Sequence, residues 1–244
     1  MRISRLYATQ QPVFSFEFFP PRTDAGYRAL YRVIGELKEL APGFVSVTSH
    51  ARGENRSKTA ELVIRIQSEL GITAMAHMTC TGQTREELGE TLAQLARAGI
   101  DNVMALRGDP PKDQPDWRPT AGGFRFGGEL AAFVKQQGAF CVGGGCYPEV
   151  HPEAESAEVD LANLQRKVGA GAEFLITQLF LNNEHYFRFV DRARAAGIAV
   201  PIVPGIMPIV SLANLRGAPG VHFYTLNQSP ATRRVHANLM GTRA

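Results

Sequence analysis

Cysteine is scarce in this chain. Cys80, Cys141 and Cys146 are the only three in 244 residues, and no two stand at Cys-x-x-Cys spacing. An odd count without that motif argues against a disulfide scaffold and a structural zinc site. The thiols are expected to be reduced and mostly buried, as in a cytosolic protein. An excess of one charge is also missing. Lys and Arg number 26 against 23 Asp and Glu, a net charge of +3, and no basic run is interleaved with aromatics, so a nucleic-acid partner is not expected. No apolar run reaches the ~18 residues a membrane helix needs. The opening "MRISRLYATQQPVFSF" shows no apolar segment followed by a small-residue cleavage site. The expectation is a soluble, cytoplasmic protein with no membrane partner.

Several catalytic signatures are absent too. No Gly-x-Ser-x-Gly elbow supports a serine nucleophile, and there is no P-loop. His77, His151 and Asp109 could approach one another, but no His-x-x-x-His pair supports a metal site, and none is expected. Protein side chains supply neither hydride nor an electron sink, so a site without nucleophile or metal often hosts an organic cofactor.

What is present is a regular alternation. Composition is ordinary for a globular protein, 44% hydrophobic and 20% charged, and one domain spanning 1–244 is expected. Short β-rich runs occur at 13–19, 44–49, 73–80, 102–109, 139–147, 174–181, 200–207 and 221–227. Helical patterns lie between them. Leu30, Val33, Ile34 and Leu37 follow i, i+3, i+4, i+7. The run "EELGETLAQLARAGI" ends on Gly99 and "NEHYFRFVDRARAAGI" on Gly197, each a natural helix stop. Strands joined by crossovers imply a parallel sheet, and the length suits an α/β fold of the (β/α)8 TIM-barrel type. A doubly wound sheet is the alternative, but Pro20 and Pro21 stand where its Gly-rich loop would be. One unit is irregular: only about a dozen residues join Pro208 to Gly220, the bare minimum for a crossover helix with its loops.

In such a barrel the chemistry gathers at the C-terminal ends of the strands. Those ends carry Glu17, Thr48, His77, Arg107-Gly108-Asp109, Tyr147 to His151, Gln178 and Tyr224 to Asn227. Gly143, Gly144 and Gly145 mark either close approach of a ligand or a bulge. Glu17 is a lone carboxylate in "FSFEFFPPRT". Alternation puts it on one face with Ser15 and Phe19, and Phe14, Phe16 and Phe18 on the other. Burial against aromatic rings is expected to favour its protonated form, as suits a proton donor. His185 and His236 read as surface helix residues, and Trp117 as part of a Pro-rich loop.

The fragments "FSFEFFPPRT", "FVSVT", "HMTC", "ALRGDPP", "YPEVHPE", "DLANLQRKVGAGAEFLITQLFLN", "PGIMP" and "HFYTLN", in this order, resemble the methylenetetrahydrofolate reductase family. The resemblance implies a TIM barrel holding FAD, which reduces 5,10-methylenetetrahydrofolate to 5-methyltetrahydrofolate with NADH or NADPH in ping-pong order, in one-carbon and methionine metabolism. It implies a general acid at Glu17 and an acid beside the flavin at Asp109. It places FAD contacts at Thr48, Ala51, His77, Arg107, Gly108, Asp109, Gly127, Tyr147, His151, Ala154, Asp160, Asn163, Arg166 and Lys167. Substrate contacts fall on Glu17, Gln178, Tyr224 and Gln228. Bacterial members are homo-oligomers, so an oligomer is expected here. The chain departs from the family in three places. Ser49 and His50 replace a Tyr-Gly pair. Gln228 stands where Arg or Lys is frequent. The 208–220 connection lacks helical segments, which are either missing from the sequence as written or truly deleted. Two alternatives follow: a flavin-independent folate reductase, suggested by Ser49, or a non-catalytic flavin or folate binder if the deletion is real.

Overall fold

The structure, a computed structural model, describes residues 1–9, 12–49, 56–110, 118–206, 220–224, 233 and 237. A short helix α1 (Ile3–Thr9) comes first. Strands and helices then alternate: β1 (Val13–Phe18), α2 (Asp24–Lys38), β2 (Phe44–Val47), α3 (Arg56–Leu70), β3 (Ala74–Thr79), α4 (Arg85–Arg97), β4 (Asn102–Leu106), α5 (Gly127–Gln137), β5 (Cys141–Cys146), α6 (Ala157–Gly169), β6 (Ala172–Thr177) and α7 (Asn183–Ala195). The two-residue strands β7 (Ile202–Val203) and β8 (Gly205–Ile206) follow, and β9 (Gly220–Tyr224) ends the series. The expected alternation is there. Residues 207–219, which make up the 208–220 connection up to Gly220, lie outside the described residues together with His50, Ala51, Trp117, Gln228 and His236.

All the pairings are parallel, in the order β7-β6-β5-β4-β3-β2-β1-β9-β8. β7 and β8 are two halves of one segment. Between them stands Pro204, which has no N–H to give a ladder. Ile202 and Val203 pair with β6, and Gly205 and Ile206 pair with β9. The segment 202–206 therefore joins the two ends of the sheet, and the strands close into a parallel α/β barrel of the TIM type.

Local chemistry explains the helices. Thr23 caps α2 by accepting from Gly26 N at 3.1 Å, and Leu30, Ile34 and Leu37 are its buried stripe. Thr84 and Glu87 form a reciprocal capping box on α4. Gly99 and Gly197 follow their helices at φ 73° and 80°, a conformation glycine adopts without strain.

Strand alternation separates two cores. Phe16, Phe18, Val45 and Val47 point outward and pack against Leu30, Ile34, Leu37, Leu62 and Ile66 of the helices. Val13, Phe44, Met75, Met104, Cys141, Phe174 and Val203 fill the interior. With both faces buried, the strands are apolar nearly throughout. Helix α1 closes the N-terminal end of the barrel with Ile3, Leu6 and Tyr7. It is docked by Ile3 N on Asn102 Oδ1 at 2.8 Å and Ser4 N on Cys141 Sγ at 3.4 Å.

The three glycines of β5 have separate reasons. A Cβ on Gly143 would lie 2.6 Å from the Phe174 ring and 2.8 Å from Met104 Sδ, so this position stays bare to let Phe174 cross the barrel. A Cβ on Gly144 would meet Lys167 Cδ at 2.9 Å on the opposite face. Gly145 lines the mouth described below. The register also shifts between Val142 and Gly143, so a bulge and a cavity-facing glycine coexist in one strand.

All three thiols are free and buried. Burial pushes the pKa of Cys80 and Cys146 up to about 12, and that of Cys141 upward. The native protein is accordingly expected to resist an aromatic disulfide reagent at neutral pH and to release three thiols per chain only on denaturation. Fast labelling of the folded protein would contradict this burial.

Candidate active site

The C-terminal ends of the strands surround a cavity of about 1060 Å³. Every site residue expected from the sequence, if its side chain is among those described, lies on its wall. Tyr224 pairs through its backbone with Glu17, in register at the end of β9.

Glu17 projects from β1 into the barrel and is only 6% exposed. Its Oε2 lies 3.3 Å from His77 Nε2 on β3 and accepts from Ser46 Oγ on β2 at 3.5 Å. This corrects the expected setting. The phenylalanines flanking Glu17 in sequence face the helices, because alternation sends them to the other side of the strand. The carboxyl instead sits in a buried polar group of serine and histidine. Thr79 Oγ1, nearby on the wall, is buried with no hydrogen-bond partner among the described residues.

Residues 107–110 follow β4. Gly108 has φ 81°, and a Cβ there would lie 2.8 Å from Thr81 Oγ1, so backbone geometry alone requires this glycine. Thr81 holds the turn by donating its N–H and its hydroxyl to Arg107 O, each at 3.0 Å. The turn leaves Asp109 exposed at the rim. Arg107 forms a two-pronged pair with Glu153, at 2.5 and 2.8 Å. That pairing raises the Arg107 pKa and lowers that of Glu153. Gly127, at the start of α5, lets the helix press against the end of β4: a Cβ would lie 3.2 Å from Arg107 N.

Helix α6 lines the side of the cavity between itself and α5. Asp160, Asn163 and Lys167 repeat at helical spacing and share this wall with Arg166. Lys167 threads past Gly144 and donates to Gly145 O at 2.6 Å. Removal from water lowers its pKa. Arg166 bonds Asn163 Oδ1. Tyr147 and His151 stand edge to face, centroids 4.6 Å apart, and burial raises the Tyr147 pKa. Across the mouth, Thr48 N is tied to Phe18 O at 2.9 Å and Gln178 N to Cys146 O at 2.7 Å. Gln178 is exposed toward the opening.

Sequence reasoning passed over Glu153, Thr79, Phe126 and the role of Phe19. Phe126 and Phe19 are 50% and 39% exposed on the rim. A large aromatic ring next to a Gly-Gly helix start or a Pro-Pro strand stop was the available signal for both.

The family described as methylenetetrahydrofolate reductase matches residues 2–218. The "5,10-methylenetetrahydrofolate reductase" of Pectobacterium carotovorum subsp. carotovorum is 42% identical over 204 residues, covering 83% of this chain and 66% of the relative. The Escherichia coli (strain K12) protein of the same description is 42% identical over 197 residues, 80% of this chain and 64% of the relative. The "Methylenetetrahydrofolate reductase 2" of Saccharomyces cerevisiae is 38% identical, over 83% of this chain and 35% of the relative. The chain thus spans just under two thirds of the bacterial relatives' length and about a third of the yeast protein's. Among solved structures, oxaloacetate acetylhydrolase is similar with a TM-score of 0.64 at 12% identity, over 99% of this chain and 86% of that one. A 2,3-dimethylmalate lyase is similar with a TM-score of 0.62 at 11% identity, over 98% and 84%. At such identities the likeness speaks for the barrel fold alone. By the sequence matches over most of its length, the chain belongs to the methylenetetrahydrofolate reductase family.

Proposed function

We propose that this protein reduces 5,10-methylenetetrahydrofolate to 5-methyltetrahydrofolate, with NADH or NADPH as the reductant and FAD as the bound cofactor, as a homo-oligomer in the cytoplasm. The observation that carries this reading is the convergence in one cavity of a buried carboxyl, Glu17, with cations on the wall between α5 and α6. A volume of about 1060 Å³ stands at the upper end of the usual range for ligand pockets, as a dinucleotide sharing its site with a second ligand requires. The donor set fits FAD. Lys167 and Arg166 suit a diphosphate, Asn163 and Asp160 suit ribose or ribityl hydroxyls, and the orphan hydroxyl of Thr79 awaits a partner. When bound, FAD supplies reversible hydride carriage.

The chain's own residues do the rest. Glu17 donates a proton to N10 of the folate, opening the five-membered ring toward a cationic iminium. Asp109, exposed at the rim, favours that cation by Coulomb attraction. Thr48, His77, Arg107, Gly108, Gly127, Tyr147, His151 and Ala154 complete the flavin wall. Gln178 meets nicotinamide and folate in turn, consistent with ping-pong order. Ala51, Tyr224 and Gln228 are proposed contacts by family position.

An absorbance spectrum tests the reading. Purified or FAD-reconstituted protein is expected to show flavin bands that NADH bleaches without oxygen and methylenetetrahydrofolate restores. Protein that takes up no flavin overturns the proposal, and folate reduction persisting without flavin would point to direct hydride transfer from the nicotinamide.

A further inference from the structure

The loop after β5, residues 147–154, brings Tyr147, His151, Glu153 and Ala154 to the cavity wall. It consists of two turns, closed by Val150 N on Tyr147 O at 3.3 Å and Ala154 N on His151 O at 2.9 Å. Between them Val150 has φ 76°, a costly conformation for a β-branched residue. Such backbone persists where its surroundings over-determine it. Three ties do so here. His151 N donates to Asp160 Oδ2 of α6 at 3.0 Å. Glu149 Oε1 lies 2.6 Å from His185 Nδ1 of α7. Glu153 takes both prongs of Arg107, which binds the loop across the mouth to the end of β4. Of the three, this one has the two-point geometry that fixes orientation as well as distance.

Glu153 acts a second time through its backbone. Its N–H donates to His151 Nδ1 at 3.1 Å. A ring nitrogen that accepts a hydrogen bond carries no proton, so the neutral ring holds its proton on Nε2. The Tyr147 ring packs against the same imidazole. The ring of His151 is thus oriented by neighbours within its own loop while its backbone is held by Asp160 of α6, and one residue supplies both the clasp and the tautomer bond.

We propose that Glu153 is a positioning residue of the ligand site: clasped by Arg107, it pins the loop so that His151 offers a fixed Nε2–H donor to a polar acceptor of the bound cofactor. Only the identity of that cofactor rests on the function proposed above. Glu153 touches no reacting atom, and its side chain is largely exposed, so an effect on folding is not needed to explain any loss.

Two measurements on the full chain test this. Long-range proton–nitrogen spectra of histidine-labelled protein report the His151 tautomer without any ligand, and FAD titration reports affinity. The wild type is expected to show the Nε2–H pattern at His151. Glu153→Ala is expected to show averaged tautomers at His151, an unchanged His77 signal, an unchanged thermal midpoint and FAD affinity lowered roughly tenfold through lost preorganisation. Glu153→Gln, which keeps the length and one acceptor, should recover part of both. A His151 tautomer unaltered in Glu153→Ala, or FAD affinity within twofold of wild type, overturns the proposal. If the wild type binds no FAD, the cofactor reading falls, and the ligand-free spectra still decide whether Glu153 positions His151.

Discussion

Glu17→Gln is expected to lower the rate of methylenetetrahydrofolate reduction by about 10²–10⁴-fold, the range a positioned general acid contributes. NADH oxidation with an artificial electron acceptor is expected to stay near the wild-type rate. The substitution keeps volume and an acceptor for Ser46, so the wall of the cavity should stand. It removes the transferable proton. Two features of the site make the loss large. Glu17 is nearly shut from water, so solvent cannot easily substitute as the donor. His77 Nε2 lies 3.3 Å away, and an amide at position 17 cannot exchange a proton with it. The check is a pair of steady-state assays on one preparation. Equal loss in both would mean a damaged cofactor site, and a normal folate rate would remove Glu17 from the role of acid.

The second large effect concerns the interior below the site. Phe174 is fully buried and leans on Tyr7 and Phe44, at centroid distances of 5.7 and 6.4 Å. Phe174→Ala is expected to cost about 3–5 kcal/mol, the usual price of an emptied aromatic site. Gly143→Ala forces a methyl group to 2.6 Å from the same ring and is expected to cost about 1–3 kcal/mol through overpacking. The double variant should be less damaging than the sum, because the new methyl enters space the ring has left. An interaction of about 0.5–3 kcal/mol in denaturant unfolding is the expected sign of contact. Strict additivity would mean that the glycine is not there for the phenylalanine.

Much of this fold is readable in the amino-acid sequence. The β-rich runs at 44–49, 73–80 and 102–109 fall on β2, β3 and β4, because strands buried on both faces must be continuously apolar and must stop where polar residues begin. Helix ends at Gly99 and Gly197 are legible for a similar reason: few residues tolerate the backbone they adopt. Helix α1 was not foreseen. Its Ile3, Leu6 and Tyr7 do follow helical spacing, but two turns of a helix carry too few repeats to stand out, and only the open end of the barrel explains what they bury against. The site was legible as a set of strand ends, since fold class dictates where these converge. What could not be read was who neighbours whom within the set. Alternation sends Phe16 and Phe18 away from Glu17, but it does not say that Ser46 of β2 and His77 of β3 are what the carboxyl meets instead. The clasp of Arg107 on Glu153 joins residues 46 positions apart, and no local pattern announces such a pair. Gln228 and the 208–220 connection up to Gly220, two of the places where the chain departs from the family, lie outside the described residues, as does Ala51.

The division of segment 202–206 around Pro204 also bears on how the protein coexists with its own copies. An open parallel sheet ending at β6 and β9 would present two rows of unsatisfied N–H and C=O groups, each a template on which another chain can add a strand. Here Ile202 and Val203 pair with Leu175 and Ile176 of β6, and Gly205 and Ile206 pair with His222 and Phe223 of β9, so one short stretch occupies part of both edges. Pro204 stands at the changeover, where the segment passes from one neighbour to the other and a proline's missing N–H interrupts neither pairing. This brief stretch thus leaves less of either edge free for another chain to pair with.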